Sequence, residues 1–166
     1  MNLGIVCGAF HREHVEMMLE YARDEAEAKN WEVAEVAWVP GSMEAPLALD
    51  RMLQNEDVHG AVVLGIIERG QTDHGLVMGQ SVTKAIIELQ IVHNKPIGLG
   101  IIERGQTDHG LAMGQAVTKA IIELQIAHNK PIGLGIIGPG AEPEHIGPRL
   151  EPHARAAVGA VAAMVG

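Results

Sequence analysis

The segment GAVVLGIIERGQTDHGLVMGQSVTKAIIELQIVHNKPIGLGII (Gly60–Ile102) decides the fold, because it predicts a strand, a helix and another strand in succession. Its apolar runs, GAVVLGII (Gly60–Ile67) and the later IGLGII, are typical of strands that are buried on both faces. About twenty residues between them have helical character, and Asn-Lys-Pro ends that helix. Such a unit forms a right-handed crossover between parallel strands. The sequence therefore predicts an α/β protein with a parallel sheet.

The rest of the chain continues this alternation of strands and helices. The further predicted elements are a strand over Leu3–Phe10, a helix over Arg12–Lys29, a strand over Glu32–Val39, a helix over Ala45–Gln54 and a last helix over Ala154–Val165. Strands that alternate with helices predict a three-layer α/β/α sandwich. We expect a single domain over residues 1–166 with the flavodoxin-like strand order 2-1-3-4.

One βα unit of this pattern is written twice. Leu64–Gly98 recurs as Leu99–Gly133 at an offset of 35 residues. The aligned copies differ at only three positions, which are Val77/Ala112, Ser81/Ala116 and Val92/Ala127. All three changes are to alanine, and all three fall on one side of the predicted helix. We interpret the duplication as a recent or engineered insertion of one βα unit.

The inserted unit has two possible consequences for the sheet. If it continues the sheet, the order becomes 2-1-3-4-5, and the strand near Pro96–Ile102 becomes a hybrid of the third and last strands. The true last strand, Pro131–Ile137, then moves outward by about 4.8 Å together with the helix that carries Arg149. Alternatively, 35 residues loop out and the parent fold survives, since loop closure costs little entropy. We favour the five-stranded sheet, because a looped-out unit exposes a large apolar surface.

Composition excludes several classes of function. The net charge of −9, from 12 basic and 21 acidic residues, leaves no basic stripe for nucleic acid. The single cysteine, Cys7, allows no intrachain disulfide and suits a reducing compartment. No signal peptide is recognisable, and no apolar run approaches the ~18 residues of a membrane span. We expect a soluble cytoplasmic protein.

The loop RGQTDH (Arg69–His74, repeated as Arg104–His109) joins a buried strand to a helix. Helix N-termini bind anions through unpaired N–H groups and the positive end of the dipole. Gly70 permits a close backbone approach, and Thr72 can cap the helix or bind a phosphate. The dipole favours the neutral form of His74, which suits a general base. The alternative is a capped helix with a solvated histidine.

Two further stretches carry polar or aromatic residues to the ends of predicted strands. Phe10, the only phenylalanine, follows the first strand, and VPGSMEAP (Val39–Pro46) follows the second. In the order 2-1-3-4 the carboxyl ends of strands 1, 2 and 3 meet at the switch point, where ligands bind. Phe10 can stack on a flat ring, while Ser42 and Glu44 can bind hydroxyl groups. These loops converge with the first RGQTDH loop only if the first copy lies beside strand 1.

Together, Phe10, VPGSMEAP, LGIIERGQTDH and the ending LGIIGPG resemble lumazine synthase of the riboflavin pathway, in its archaeal form. The resemblance covers essentially the whole chain once one 35-residue copy is removed. It implies the condensation of 5-amino-6-ribitylaminouracil with 3,4-dihydroxy-2-butanone 4-phosphate, without a metal or an organic cofactor. It also implies a homo-oligomer derived from a pentamer, which the duplication can alter, with small-molecule substrates and no nucleic-acid or membrane partner.

The resemblance further implies roles for individual residues. His74, with His109 as its duplicate, would move protons during imine formation, phosphate loss and ring closure. The implied substrate-binding residues are Phe10 on the pyrimidine, Ser42, Met43 and Glu44 at the ribityl chain, Ile66 and Ile67 beside the pyrimidine, Gly70, Gln71 and Thr72 at the phosphate, and Arg149, which reaches the phosphate from a neighbouring subunit. His11 stands where the family usually has an asparagine.

Two hypotheses about function remain open at this point. The first is a lumazine synthase homologue whose activity the duplication impairs. The second is a non-catalytic scaffold in which a βα unit has been inserted and the assembly changed. The pair His11 and His14 offers only two ligands on one helix face, so we predict no metal site.

Overall fold

A computed structural model of the chain describes residues 1–68, 74–104 and 143–165. The strands are β1 (Asn2–Gly8), β2 (Glu32–Val39), β3 (Gly60–Glu68) and β4 (Ile97–Arg104). The helices are α1 (Arg12–Ala28), α2 (Ala45–Leu53), α3 (His74–His93) and α4 (Pro143–Val165), with a 3-10 turn over Ser42–Glu44 before α2. None of these described helices is both long and apolar enough to cross a membrane.

The four described strands form one parallel sheet in the order β2-β1-β3-β4. This order confirms the predicted arrangement of the first four strands. The hybrid strand is β4, which pairs along its whole length with β3, from Ala61 opposite Ile97 to Glu68 opposite Arg104. The predicted fifth strand, Pro131–Ile137, and the helix of the second copy lie outside the described residues.

Alternate residues of the strands divide the core into two layers, as the period of a strand requires. Leu3, Ile5 and Cys7 of β1 pack with α1 and α4, whereas Val6 packs with α2 and α3. Strands β1 and β3 are therefore covered on both faces, which explains why they are nearly continuous apolar runs.

The last helix, α4, begins at Pro143, eleven residues before the predicted start at Ala154. Pro148 and Pro152 lie inside it, and both lack the N–H that an interior helical position donates. Apolar packing of the helix on α1 and the sheet outweighs this loss, since Leu150 and Ala154 are buried. The prediction of a short last helix is wrong for this reason.

The position of α4 contradicts the prediction that the inserted unit moves the last helix outward. Helix α4 packs against α1, β4 and β3, so it is not displaced by one strand beyond β4. Glycines make this close packing possible. A Cβ atom on Gly98 would lie 2.2 Å from the carbonyl oxygen of Ala157, and one on Gly100 would lie 2.8 Å from Leu64 Cδ2. Gly98 must therefore lack a side chain, whereas the close contact at Gly100 is with the end of a flexible side chain of β3.

Polar side chains hold the C-terminal end of α3 in place on the face of the sheet opposite α4. Gln90 Oε1 accepts a hydrogen bond from the backbone N–H of Ile97 at 2.8 Å. Lys95 Nζ donates to the carbonyl oxygens of Leu53 and Asn55, each at 2.7 Å. Nε2 of His93 lies 2.7 Å from Asp50 Oδ1 of α2. These contacts fix where α3 ends and β4 begins.

Candidate active site

The carboxyl ends of β1, β2 and β3 meet at one edge of the sheet. Ala9 N–H donates to the carbonyl oxygen of Val39 at 2.8 Å, which continues the pairing of β1 with β2 past Gly8. A Cβ atom on Gly8 would lie 3.8 Å from the carbonyl oxygen of Leu64 and 3.9 Å from the carbonyl carbon of Gly41. Backbone from all three strand ends is therefore within van der Waals distance at the predicted switch point.

The turn after β1 carries the one phenylalanine. Phe10 is 48% exposed, and its ring contacts the ring of His11 edge to face with centroids 4.4 Å apart. His11 has the left-handed backbone conformation, with φ 55°, at the start of α1. Asparagine and histidine are enriched at positive φ, so either residue suits this position. Phe10 thus offers an open ring face at the edge of the sheet.

The turn after β2 carries the three residues that the sequence assigns to a ribityl chain. Ser42 is buried, and its Oγ lies 3.6 Å from where a Cβ atom on Gly65 would stand. Met43 is 57% exposed. Glu44 is exposed, and its Oε2 accepts a hydrogen bond from Gly41 N–H at 3.0 Å. The Glu44 carboxylate therefore fixes its own turn, a role that sequence reasoning did not give it.

The two isoleucines at the end of β3 are placed differently from what their proposed role suggests. Ile66 is 2% exposed and packs with α1 and α4, while Ile67 is 7% exposed and packs with α2 and α3. Neither side chain is open at the edge. What this part of β3 can present to a ligand is its backbone.

Helix α3 begins at His74 and contacts the Ser42–Glu44 turn. His74 is therefore the first residue of this helix, and its role as a general base stays a prediction. The other loop residues assigned to the phosphate, Gly70, Gln71 and Thr72, and the duplicate His109 lie outside the described residues.

Arg149 lies on α4, which packs on the face of the sheet opposite the Ser42–Glu44 turn. Its Nη1 is buried and has no hydrogen-bond partner among the described residues. The same holds for Nε2 of His153, one helical turn further on. Burial, and secondarily the charge of Arg149, lowers the pKa of His153. Sequence reasoning missed His153, although its spacing from Arg149 signals a shared helix face.

Other ionisable groups have structural roles. Arg155 of α4 donates to Glu25 of α1 at 3.0 Å and to Glu151 at 2.8 Å. Hydrogen bonds from Lys29 and from Arg155 lower the pKa of Glu25. Burial raises the pKa of Cys7 to about 12, so its thiol is not an activated nucleophile. Over the part of the chain that the structure describes, no three His, Cys, Asp or Glu side chains group as metal ligands.

Comparison with known proteins matches both parts of the chain to one family. The family model of 6,7-dimethyl-8-ribityllumazine synthase matches residues 1–103 and, separately, residues 97–166. The two matches overlap in β4, as expected for a hybrid strand that belongs to both copies of the repeat.

Individual relatives agree with the family model. The 6,7-dimethyl-8-ribityllumazine synthase of Picrophilus torridus is 36% identical over 97 residues, which are 58% of this chain and 71% of the relative. That of Methanopyrus kandleri is 37% identical over 97 residues, covering 58% and 69%. That of Methanobrevibacter smithii is 32% identical over 96 residues, covering 58% and 70%. Fold, strand-end geometry and these similarities agree, and the chain belongs to the 6,7-dimethyl-8-ribityllumazine synthase family.

Proposed function

We propose that the chain condenses 5-amino-6-ribitylaminouracil with 3,4-dihydroxy-2-butanone 4-phosphate to give 6,7-dimethyl-8-ribityllumazine, as an archaeal-type member acting in the cytoplasm. The observation that carries this proposal is the edge where β1, β2 and β3 meet beside the start of α3. The relatives are 6,7-dimethyl-8-ribityllumazine synthases, which supports the reaction, and their source organisms support the archaeal type.

The side chains at this edge suit the two substrates. Phe10 has an exposed ring that can stack on the flat pyrimidine. Met43 and Glu44 are exposed on the turn that would hold the ribityl chain, while Ser42 of the same turn is buried. Ile66 and Ile67 would border the pyrimidine through their backbone groups.

The phosphate and the proton transfers belong, in this proposal, to the start of α3. Gly70, Gln71 and Thr72 would bind the phosphate in front of a helix N-terminus, where dipole and N–H groups favour an anion. His74, whose neutral form the same dipole would favour, would accept a proton as the amine attacks the ketone and give it to the hydroxyl group of the carbinolamine, which leaves as water to form the imine. Loss of phosphate and closure of the ring then complete the lumazine.

Arg149 supports a shared active site. It lies on the other face of the sheet from the Ser42–Glu44 turn, and its buried Nη1 has no hydrogen-bond partner among residues 1–68, 74–104 and 143–165. We propose that this arginine reaches the phosphate in a neighbouring subunit. We therefore include a homo-oligomer in the proposal.

The duplication favours a second candidate, a non-catalytic assembly variant. Strand β4 ends in Glu103 and Arg104, whereas the second copy of the same sequence continues with Gly138 and Pro139 at these positions. Two charged residues thus stand at the carboxyl edge beside β3. We propose that these two charged residues reduce catalysis. The second candidate, the assembly variant, is the case in which catalysis is lost completely.

An assay of the purified chain separates the two candidates. Both substrates are mixed with the protein, and product is followed by lumazine fluorescence against the uncatalysed background. We expect product above background, and a raised KM for the pyrimidine in Phe10→Ala. Met17→Ala, which removes an exposed apolar side chain from α1, is the matched control and should leave KM unchanged. Background rates from a folded chain would favour the assembly variant.

A further inference from the structure

The contacts that hold α3 on the sheet come from residues that the chain contains twice. Val82, Ile86 and Gln90 of α3 are buried, and the second copy has the same residues at 117, 121 and 125. The positions at which the copies differ are all exposed, with Val77 58% and Val92 74% exposed and Ser81 also on the surface. The three changes to alanine therefore leave every described buried position of α3 unaltered.

A second segment of the sequence has the residues that the position of β4 requires. This place requires glycine at 98, where a Cβ atom would lie 2.2 Å from the carbonyl oxygen of Ala157. A small residue also suits position 100, where a Cβ atom would lie 2.8 Å from Leu64 Cδ2. The sequence Pro96–Ile102 recurs without change as Pro131–Ile137, which supplies Gly133 and Gly135 at the same positions.

The polar contacts at the end of α3 are duplicated as well. Gln90, His93 and Lys95 hold the helix and the next strand through Ile97, Asp50 and the backbone of residues 53 and 55. Their counterparts in the second copy are the identical residues Gln125, His128 and Lys130. Asp50 and the backbone acceptors lie outside the repeat, so either copy finds the same partners.

We propose that either copy of the repeat can fill the α3–β4 position, so that the chain exchanges between two arrangements of one sheet. In the described arrangement residues 97–104 lie beside β3. In the other, residues 132–137 lie there, and the first copy is the extra unit. The buried contacts are the same in both, so only the connecting segments and the placement of the extra unit determine the populations.

The exchange changes the edge that carries the candidate site. The strand beside β3 ends in Glu103 and Arg104 in the described arrangement, and the other arrangement would have Gly138 and Pro139 at the same two positions. Two charged side chains are thus replaced by an uncharged pair next to the carboxyl end of β3. The proportion of the two arrangements sets the electrostatics of that edge.

A pair of glycine substitutions in the full chain tests the exchange. Gly98→Val blocks the place beside α4 for the first copy, Gly133→Val blocks it for the second, and the double variant blocks both. We expect each single variant to lower the midpoint of thermal unfolding by less than half as much as the double variant. The double variant should lose about 10 °C or more, because neither copy then fits under Ala157. Gly159→Val is the matched control, since nothing lies within 4 Å of its Cβ position.

Two results would overturn the proposal: a loss in Gly98→Val as large as in the double variant, or no large loss in the double variant. Hydrogen exchange provides the second measurement. Peptides that end in Glu103 and in Gly138 differ in mass, so the two strands can be followed separately. In Gly98→Val, amides of residues 132–137 should be protected and those of 97–102 should exchange. Protection that stays on 97–102, or that is lost from both, contradicts an exchange.

Discussion

On one face of the sheet the backbone of α4 lies directly against the backbone of β4. On the other face larger aliphatic side chains separate α2 and α3 from the strands. The first face has glycines at 98 and 100 beneath Ala157. The second has Leu49, Met52, Leu53 and Ile86 between helices and strands, with polar contacts only at the end of α3.

The difference teaches which kind of change each face can tolerate. A face packed by close backbone approach has no space for an added methyl group, while a face packed by long side chains is most sensitive to their removal. It also explains why β4 has glycine at position 98 despite the cost of glycine to a strand. Each prediction below tests one side of this contrast.

The largest effect is expected from removing a long side chain on the α2–α3 face. Leu49→Ala should lower the free energy of unfolding by about 2–5 kcal/mol, because Leu49 is fully buried and its truncation leaves a cavity. Leu47→Ala on the same helix is the control, since Leu47 is 55% exposed. Urea unfolding measures both. Equal losses in the two variants would show that α2 does not pack as described.

Enlarging a small residue on the α1–α4 face should have the next largest effect. Ala157→Val places two more carbons against the backbone of β4 and should cost about 1–3 kcal/mol. Ala156→Val puts the same side chain on an exposed position one residue earlier and should change stability little. If both variants unfold at the same urea concentration, the close approach of α4 to Gly98 is wrong.

A smaller effect is expected from the polar contacts at the end of α3. Gln90→Leu leaves the N–H of Ile97 without its acceptor and should cost about 1 kcal/mol. Gln54→Leu removes an exposed hydrogen bond to Asp50 and serves as the comparison. Urea unfolding of both variants, with hydrogen exchange of the Ile97 amide, would show whether this bond holds the start of β4. Unchanged exchange in Gln90→Leu would contradict it.

The smallest effect concerns pH and the α1–α4 face. Burial lowers the pKa of His153 from its ordinary value of 6.5, so the unfolded chain takes up a proton at a pH where the folded chain does not. The stability that depends on neutral His153 is therefore fully present above pH 6.5 and decreases as the pH falls below this value. His153→Gln should unfold with less change between pH 7 and pH 5. An identical pH profile for variant and parent would show that His153 is not held neutral.

The sequence was sufficient for the elements whose signals are local. Apolar runs predicted β2 and the starts of α1, α2 and β3 at the observed residues, and the alternation of strands and helices predicted the order 2-1-3-4. It failed for α4, because Pro148 and Pro152 are local signals against a helix that long-range packing on α1 overrides.

The candidate site was predictable only as a set of strand ends. The spacing placed Phe10 and the Ser42–Glu44 turn at the same edge, which the meeting of β1, β2 and β3 supports. That Glu44 caps its own turn and that Ile66 and Ile67 face opposite cores depends on side-chain packing, which no local pattern encodes. His153 was missed because its spacing from Arg149 indicates a shared helix face but does not show that their nitrogen atoms are buried.

The most direct test of the proposed function compares the two copies of one residue. The rate of lumazine formation is measured for His74→Ala, His109→Ala and the parent chain under the same conditions. A site at the start of α3 predicts that His74→Ala lowers kcat about tenfold or more, while His109→Ala stays within about twofold of the parent. Equal losses in the two variants, a larger loss in His109→Ala, or no catalysis by the parent would contradict a site built from the first copy.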